Sequence, residues 1–282
     1  MQEFFFKIGQ QLSSFRTPVT MGILNVTPDS FAVHCADCSK ETVLTAAQSL
    51  LQQGASILDI GGCSTRPGAA LISEDEEWAR VSAALSVIRP AFPSAVLSLD
   101  TWRSSIAARA IAEFGEMIIN DVSGGQWDAE MFPLLARTRV PYILTHTGWA
   151  DMQQHLLPRK YPTDILAEVL DFLQSRLDTL RQMGAGDIIL DPGFGLGKTM
   201  EENYLLLQHL DLFQVLHCPV LAGLSRKSMF FKPLGITPQQ ALNATTAANA
   251  IALERGAQIL RVHDVKEAQE TIQIHCLTHH LS

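Results

Sequence analysis

The chain has 282 residues, of which 29 are acidic, 21 are basic and 47% are hydrophobic. This apolar content excludes an intrinsically disordered chain, and a net charge of −8 argues against a protein that coats nucleic acid. No stretch reaches the ~18 uncharged apolar residues of a membrane span, residues 1–15 do not have the pattern of a signal peptide, and five cysteines do not fit a disulfide framework. We therefore expect a soluble cytoplasmic protein.

Short runs rich in Val, Ile and Leu alternate along the chain with longer segments of helical period. In chain order, the runs predict strands at 19–26, 56–61, 95–100, 117–121, 141–146, 188–191, 219–224 and 259–262. Apolar residues spaced three and four apart predict helices that include 40–53, 74–88, 164–183 and 239–255. Glycines follow several helical segments and predict their ends, at Gly54, Gly115, Gly184 and Gly256.

The order of these elements predicts the fold class. Eight strands alternate with helical segments, which is typical of a parallel α/β sheet with helical crossovers, and eight is the number of strands that closes a barrel. No linker or low-complexity run divides the chain. We therefore predict a single-domain (β/α)8 TIM barrel over residues 1–282, with its core at about 18–275; a doubly wound open sheet is the alternative.

Polar side chains follow the predicted strands at their carboxyl ends. At any one strand such a residue could simply cap the next helix, but all eight strand ends carry one. In a barrel these ends converge on one mouth, where catalysis occurs. We therefore expect them to share a site.

Two groups of these residues have distinct chemistry. Asp100, Asn120 and Asp191 offer acceptors and an amide on rigid strand ends, a set that suits a flat heterocycle with several N–H donors along one edge. The second group is cationic and suits a phosphorylated substrate, which barrels often bind near strands seven and eight; its members are Arg66, Lys227, Arg261 and His263. Asn25 supplies a neutral oxygen, appropriate for a Mg²⁺ ion held mainly by substrate phosphates.

Some motifs suggest other chemistry but fit it poorly. Residues 191–199 look like a phosphate-binding P-loop, yet proline stands at the position of its first glycine, so an active-site loop is the better interpretation. Cys35 and Cys38 form a single CxxC beside His34, a weak zinc signal without a second pair. Cys63 has no histidine arrangement nearby that would make it a nucleophile.

Two further features have an ordinary interpretation. The C-terminal histidines, His275, His279 and His280, read as a solvated tail. Lys227 could form a Schiff base, as in barrel aldolases, but the presence of Arg226 and Arg261 fits anion binding equally well.

Seven stretches at the predicted strand ends carry a further signal. They are Met-Gly-Ile-Leu-Asn-Val-Thr-Pro-Asp-Ser-Phe at 21–31, Asp-Ile-Gly-Gly-Cys-Ser-Thr-Arg-Pro-Gly at 59–68, Leu-Asp-Thr at 99–101, Ile-Asn-Asp at 119–121, Leu-Asp-Pro-Gly-Phe-Gly at 190–195, Ser-Arg-Lys-Ser-Met at 225–229 and Arg-Val-His-Asp-Val at 261–265. These stretches resemble the motifs of the dihydropteroate synthase family. The resemblance runs in order from about residue 18 to 270, and its most specific parts are the stretches at 21–31 and 225–229.

The resemblance implies an activity and an assembly. It implies a TIM-barrel homodimer that condenses 6-hydroxymethyl-7,8-dihydropterin diphosphate with p-aminobenzoate, requires Mg²⁺, and releases 7,8-dihydropteroate and pyrophosphate. Such an enzyme works in folate synthesis and is a sulfonamide target. Its partners would be these small substrates, without nucleic acid or membrane.

The resemblance also assigns roles by position. Asn25 matches the Mg²⁺ contact, Thr65 a ligand of the diphosphate substrate, Arg66 a supporting loop residue, and Ser228 the receiver of the aminobenzoate carboxylate. The pterin ring would be held by Asp100, Asn120, Asp191 and Lys227, and the diphosphate by Arg261 and His263. The predicted catalytic residues are Asp100, Lys227, Arg261 and His263.

Some positions depart from the family pattern and leave alternatives. Ala-Val-His at 32–34 stands where many members have an Asp-Gly-Gly-like loop, and Cys63 where glutamate is frequent. Thr-His-Thr at 145–147 replaces Met-His-Met, and Leu196 replaces a common aromatic, which bears on sulfonamide sensitivity. A pterin-binding paralogue with altered catalysis and a methyltetrahydrofolate-dependent methyltransferase-type barrel are the alternatives.

Overall fold

The protein is a parallel eight-stranded barrel surrounded by helices, and this confirms the predicted (β/α)8 fold over the open sheet. The computed structural model describes residues 3–8, 11–27, 40–63, 71–149, 161 and 164–280. The described strands are β1 Phe4–Ile8, β2 Gln11–Phe15, β3 Val19–Asn25, β4 Ile57–Gly61, β5 Val96–Asp100, β6 Ile118–Asp121, β7 Tyr142–Thr145, β8 Ile188–Asp191, β9 Leu221–Ala222 and β10 Ile259–Val262. The described α-helices are α1 Lys40–Gln52, α2 Glu74–Ala91, α3 Ser104–Phe114, α4 Met131–Thr138, α5 Ile165–Gln182, α6 Met200–Gln208, α7 Ser228–Leu234, α8 Leu242–Glu254 and α9 Val265–Thr278.

Hydrogen bonding closes the sheet into a barrel. The strand order is β8-β7-β6-β5-β4-β3-β10-β9, and every neighbouring pair is parallel. The two ends of this order meet where Leu190 bridges Val220 and the Leu190 N–H donates to the Pro219 carbonyl at 2.8 Å. All eight carboxyl ends therefore face the same mouth.

The predicted boundaries change by more than one residue at three elements. The strand predicted at 219–224 pairs with β10 only through Leu221 and Ala222. Helix α2 runs past the predicted end to Ala91, and Pro90 lies inside it. Helix α8 begins at Leu242, after the predicted 239, because Pro238–Gln240 form a separate 3-10 turn. The four glycines predicted to end helices all have positive φ, between 77° and 101°.

An N-terminal hairpin that the sequence did not predict covers the amino-terminal end of the barrel. Strands β1 and β2 pair antiparallel, and Phe4 stacks on Phe15 with ring centroids 5.3 Å apart. Phe4 is 7% exposed and belongs to the apolar cluster inside the barrel, whose other buried members are Val19, Met21, Ile57, Ile118, Ile143, Ile189, Leu221 and Ile259. A second apolar layer lies between the sheet and the helices. None of the described helices is long and apolar enough to cross a membrane.

The hairpin should stabilise the barrel without affecting its mouth. We expect Phe4→Ala to lower the free energy of unfolding by about 3 kcal/mol, because it removes a buried aromatic ring and leaves a cavity. The measurement is urea unfolding followed by tryptophan fluorescence. Phe5→Ala is the matched control, since Phe5 is 46% exposed, and this substitution should lower the free energy of unfolding much less. Equal losses in both variants would contradict a plugging role for Phe4.

Candidate active site

The strand ends bring acidic, amide and cationic side chains into one pocket at the barrel mouth. Asn25, Asp100 and Asn120 lie on adjacent strands at the same level, because Asn25 pairs in register with Gly61, Gly61 with Asp100, and Asp100 with Asn120. A Cβ placed on Gly61 would lie 3.2 Å from Oδ1 of Asn25 and 3.7 Å from Oδ2 of Asp100. The glycine therefore leaves open a small space that both side chains border.

Arg261 links two carboxylates at the centre of this pocket. Its Nε donates to Oδ2 of Asp59 at 2.6 Å, and one terminal nitrogen donates to Oδ2 of Asp100 at 2.6 Å. Asp59 is fully buried, and the Asp100 and Arg261 side chains are 14% and 23% exposed. Charges so shielded from water attract strongly, so the pair of carboxylates fixes where the guanidinium points.

Asp59 is a site residue that the sequence analysis did not single out. Besides Arg261, it accepts a hydrogen bond from Nδ2 of Asn120 at 3.1 Å, so it connects the amide to the cation. The sequence did contain a signal for it, because Asp59 is a charged residue inside the apolar run 56–61, and a buried carboxylate needs a partner. The partner, Arg261, lies 202 residues away, so spacing alone could not reveal the pair.

Asp191 and Lys227 form the other side of the pocket. The Asp191 carboxylate accepts the Gly193 N–H at 2.8 Å, and Nζ of Lys227 donates to the Phe194 carbonyl at 2.6 Å. Burial lowers the pKa of Lys227 to about 8, and the nearby Asp191 carboxylate acts in the opposite direction. Lys227 is therefore largely protonated at neutral pH and close to its titration range.

Lys198 holds the loop that follows β8 in place. Its Nζ donates to the carbonyls of His146, Gly193 and Leu196 at 3.3, 2.8 and 3.3 Å. Burial lowers its pKa to about 7, and Asp191 opposes that change. The loop 192–199 is thus organised around a buried lysine, which is consistent with an active-site loop and not with a P-loop, whose lysine would reach a phosphate.

Burial raises the pKa of two carboxyl groups in the pocket. Burial raises the pKa of Asp100, and the guanidinium of Arg261 partly reverses that rise. Burial likewise raises the pKa of Asp191, against the Gly193 hydrogen bond and Lys227. The ionised forms therefore depend on the cations beside them, so acidic and basic groups act here as one electrostatic unit.

Three buried polar atoms on the barrel strands have no hydrogen-bond partner among the described residues: Oδ1 of Asp59, Oγ of Ser98 and Oγ1 of Thr145. Asp59 and Ser98 pair in register on β4 and β5, and Thr145 pairs with Asp191 on β7 and β8. Buried polar groups in folded proteins normally form hydrogen bonds, so these three atoms are available to bind a polar ligand.

Two more predicted residues lie at the mouth but in different surroundings. His263 contacts Oγ of Ser225 through Nδ1 at 3.0 Å, so the hydroxyl sets the orientation of the ring. Ser228 is exposed at the first turn of α7. Arg226, which precedes Lys227, turns away and forms two hydrogen bonds with Asp264 at 2.6 and 3.0 Å. Only one of the two adjacent cations, Lys227, therefore enters the pocket.

At the end of β6 only one of the two polar residues joins the site. Asp121 accepts the hydroxyl of Tyr142 at 2.8 Å and the N–H of Ser123 at 2.8 Å, and so it holds the turn after β6. Neighbouring residues of a strand point to opposite faces, which is why Asn120 enters the barrel and Asp121 does not. Its role is therefore structural, but it is not a helix cap, since α4 begins only at Met131.

Several predicted residues lie outside the described part of the chain. These are Thr65, Arg66, His34, Cys35 and Cys38. Cys63 is described, and burial raises its pKa to about 11, which keeps the thiol protonated and unlike a nucleophile.

The prediction of a solvated histidine tail was wrong for His275. This residue is 7% exposed on α9, and its Nδ1 lies 3.1 Å from Oε1 of Glu254. The apolar face of α9 packs on α8 and β3, and His275 follows that face at helical spacing from Ala268 and Ile272. His279 also contacts Glu254, at 3.4 Å.

Comparison with known proteins identifies the family. The sequence profile of the family described as pterin binding enzyme matches residues 21–263, which include the predicted site residues from Asn25 to His263. The dihydropteroate synthase of Bacillus subtilis is 36% identical over 258 residues, which cover 91% of this chain and 87% of that protein. The chain belongs to the dihydropteroate synthase family.

Solved members of the dihydropteroate synthase family have the same fold. The Xanthomonas albilineans enzyme with 4-aminobenzoic acid superposes with a TM-score of 0.88 at 33% identity and covers 100% of both chains. The Burkholderia cenocepacia enzyme complexed with 7,8-dihydropteroate superposes with a TM-score of 0.85 at 33% identity, over 98% of this chain and 96% of that one. The similarity therefore extends over the whole barrel.

Proposed function

We propose that the chain joins 6-hydroxymethyl-7,8-dihydropterin diphosphate to p-aminobenzoate, giving 7,8-dihydropteroate and pyrophosphate. The observation that carries the proposal is that one pocket contains both a hydrogen-bonding edge, formed by Asp59, Asp100 and Asn120, and the cations Lys227 and Arg261. A substrate with a flat polar ring and a charged leaving group needs both parts.

The acidic edge would bind the pterin. A pterin offers several N–H donors on one side of its ring and a carbonyl oxygen. Carboxylates at Asp100 and Asp191 accept from N–H groups, Asn120 can both donate and accept, and the ammonium of Lys227 can donate to the carbonyl oxygen. We infer that the ring displaces part of the contact between Arg261 and Asp100, because both need the same carboxylate oxygen.

The cations would bind the diphosphate. Arg261 presents a planar guanidinium that matches phosphate oxygens, and the imidazole of His263 lies two residues further along the same strand end. Thr65 and Arg66, which follow β4 in the sequence, would contact the same group. The aminobenzoate carboxylate would approach Ser228, which is exposed at the mouth.

The chemistry then requires charge stabilisation more than acid–base catalysis. The C–O bond to the diphosphate breaks, the pterin methylene becomes electron-poor, and the amine nitrogen of p-aminobenzoate forms the new C–N bond and loses a proton. Asp100 offsets positive charge on the ring, while Arg261 and His263 offset the negative charge on the departing pyrophosphate.

Pyrophosphate release is the direct test of this function. We expect release that requires both substrates and Mg²⁺, with dihydropteroate formed in equal amount. If the protein binds the pterin substrate but releases no pyrophosphate when p-aminobenzoate is added, it is a paralogue with altered catalysis. Methyl transfer from methyltetrahydrofolate would instead support the methyltransferase-type alternative.

We further propose Mg²⁺ as the cofactor, with Asn25 as its protein ligand. The fit rests on the small space beside Gly61, which the neutral Oδ1 of Asn25 and a carboxylate oxygen of Asp100 border. Mg²⁺ prefers oxygen ligands and usually keeps several waters and substrate phosphates. When bound, it supplies positive charge that neutralises the diphosphate.

The metal proposal makes a specific prediction for Asn25. We expect Asn25→Ala to raise the Mg²⁺ concentration for half-maximal activity by about tenfold or more, because it removes the amide oxygen from the metal site. Asn243→Ala, on the outer helix α8, is the matched control and should leave the Mg²⁺ dependence unchanged. An unchanged Mg²⁺ dependence in Asn25→Ala would remove the residue from this role.

The pKa of Lys227 predicts a pH dependence. Lys227 loses its proton as the pH rises through about 8, so a donor that the pterin carbonyl needs disappears. We expect kcat/KM for the pterin substrate to fall above about pH 8, since this ratio reports on groups of the free enzyme. In Lys227→Gln, kcat/KM should be lower at every pH and should not change with pH around 8. The same fall in both proteins would assign it to another group.

Two broader statements also belong to the proposal. We propose a homodimer, and the exposed apolar side chains of Ile251, Ile274 and Leu277 on α8 and α9 support a contact there. Sedimentation equilibrium should give twice the chain mass. We also propose the cytoplasm as the location, since Cys63, Cys218 and Cys276 form no disulfide within the described part of the chain.

A further inference from the structure

Two histidines and a glutamate meet at the amino-terminal end of the barrel, far from the candidate active site. Glu254 is the last residue of α8, and His275 and His279 lie one turn apart at the end of α9. They line a cavity of about 700 Å³. The same cavity is lined by residues that precede strands, including Asp187, Pro219 and Gln258, which places it opposite the mouth.

Two of the distances within this cluster, those from each histidine to the glutamate, match the spacing of ligand atoms in a metal site. Nδ1 of His275 lies 3.1 Å from Oε1 of Glu254, and Nε2 of His279 lies 3.4 Å from Oε2. One ligand atom from each of the three residues can be chosen so that all lie within 4.8 Å of one another. In a tetrahedral Zn²⁺ site, with bonds of about 2.0–2.1 Å, ligand atoms are about 3.3 Å apart.

The hydrogen bonds of His279 also favour a metal ligand. Its Nδ1 lies 3.0 Å from the carbonyl oxygen of His275 and 3.1 Å from Oγ1 of Thr278, whose hydroxyl donates to that same carbonyl at 2.8 Å. Nδ1 must therefore carry the hydrogen, and Nε2 directs its lone pair towards the Glu254 carboxylate. Metal-binding histidines typically donate their second N–H to a carbonyl in this way.

A lone pair that faces a carboxylate needs a cation between them, either a proton on the imidazole or a metal ion. We propose that Glu254, His275 and His279 bind one Zn²⁺ ion. Imidazole nitrogen and carboxylate oxygen suit this ion, and two histidines four residues apart on one helix form a natural chelate. The fourth position opens to the cavity, which His217 and Cys218 also line.

The bound ion would attach the end of α9 to the end of α8. These helices pack against each other, and α9 also packs on β3, the strand that ends at Asn25. A ligand that binds the folded chain and not the unfolded chain stabilises the folded state by mass action, so Zn²⁺ should raise the melting temperature. The cluster does not touch the pocket at the mouth, so turnover with Mg²⁺ should not require it.

Calorimetric titration of the untagged, full-length protein with Zn²⁺, in excess Mg²⁺, tests the proposal. We expect one Zn²⁺ per chain for the unaltered protein. His279→Ala and Glu254→Gln should each weaken binding by more than about tenfold, because each removes a direct ligand. Both side chains are about half exposed, so the variants should fold. His280→Ala is the matched control, since this neighbouring histidine lies outside the cluster, and it should bind as the unaltered protein does.

Two more measurements make the result decisive. The rise in melting temperature with Zn²⁺ should occur in the unaltered protein and in His280→Ala but not in His279→Ala, while pyrophosphate release stays equal in all three. Co²⁺ in place of Zn²⁺ should give the intense visible bands of a tetrahedral site. Absence of Zn²⁺ binding would overturn the proposal in favour of a proton-bridged cluster. Binding that survives in His279→Ala but is lost in Cys35→Ser would also overturn it, in favour of the CxxC motif.

Discussion

Replacing Asp100 by asparagine should lower kcat by about 10²–10³, the usual cost of losing one preorganised electrostatic group. Asparagine has the same shape and can still accept a hydrogen bond from Arg261, so the barrel should fold normally. What the substitution removes is the negative charge. That charge offsets the positive charge that develops on the pterin ring, and it helps to hold Arg261, 2.6 Å away, in place.

Steady-state kinetics with both substrates, together with thermal unfolding, will test this result. Asp171→Asn is the matched control, because Asp171 is an exposed carboxylate on α5 on the outside of the barrel, and it should retain full activity. A variant of Asp100 with a raised KM and an unchanged kcat would show that the carboxylate binds substrate without stabilising the reaction. Unchanged kinetics would exclude it from both roles.

Replacing Arg261 by glutamine should reduce both stability and activity. Asp59 is fully buried and would lose its only cationic partner among the described residues, and leaving a buried charge unpaired costs about 3–5 kcal/mol. The same change removes the guanidinium proposed to bind the diphosphate. We therefore expect a lower free energy of unfolding and a strongly reduced kcat/KM for the pterin diphosphate.

A second substitution separates the two effects. Asp59→Asn removes the unpaired charge, so the double variant with Arg261→Gln should recover about 1–3 kcal/mol of the lost stability, the usual range for coupled neighbours. Activity should not recover, because the diphosphate still lacks its cation. Strictly additive losses of stability would show that the two side chains do not interact in solution, against the 2.6 Å contact.

Much of the site could be predicted because parallel strands end at one mouth. Asp100, Asn120, Asp191 and Arg261 were each recognisable as polar residues at the end of an apolar run. The barrel then brought them together. Asp59 escaped prediction because it lies inside its apolar run, two residues before the end of β4, and not at the strand end where we expected site residues.

Other features depended on contacts between distant segments. The hairpin of β1 and β2 follows no strong pattern, since it forms against the end of a barrel built from the rest of the chain. His275 looked solvated because a tail of polar residues surrounds it, yet α9 turns it towards Glu254. Arg226 and Lys227 are chemically similar neighbours, and only the turn before α7 decides which one enters the pocket.

The sequence by itself determined the alternation of strands and helices, and with it the barrel and the level at which its polar residues lie, because periodicity and strand ends are local properties. The tertiary structure decided which polar groups neutralise one another. Arg261 contacts Asp59 and Asp100 across 202 and 161 residues, and Glu254 meets His275 between two helices. Electrostatic attraction depends on the distance between charges and on their burial, and neither can be read from the order of residues in the chain.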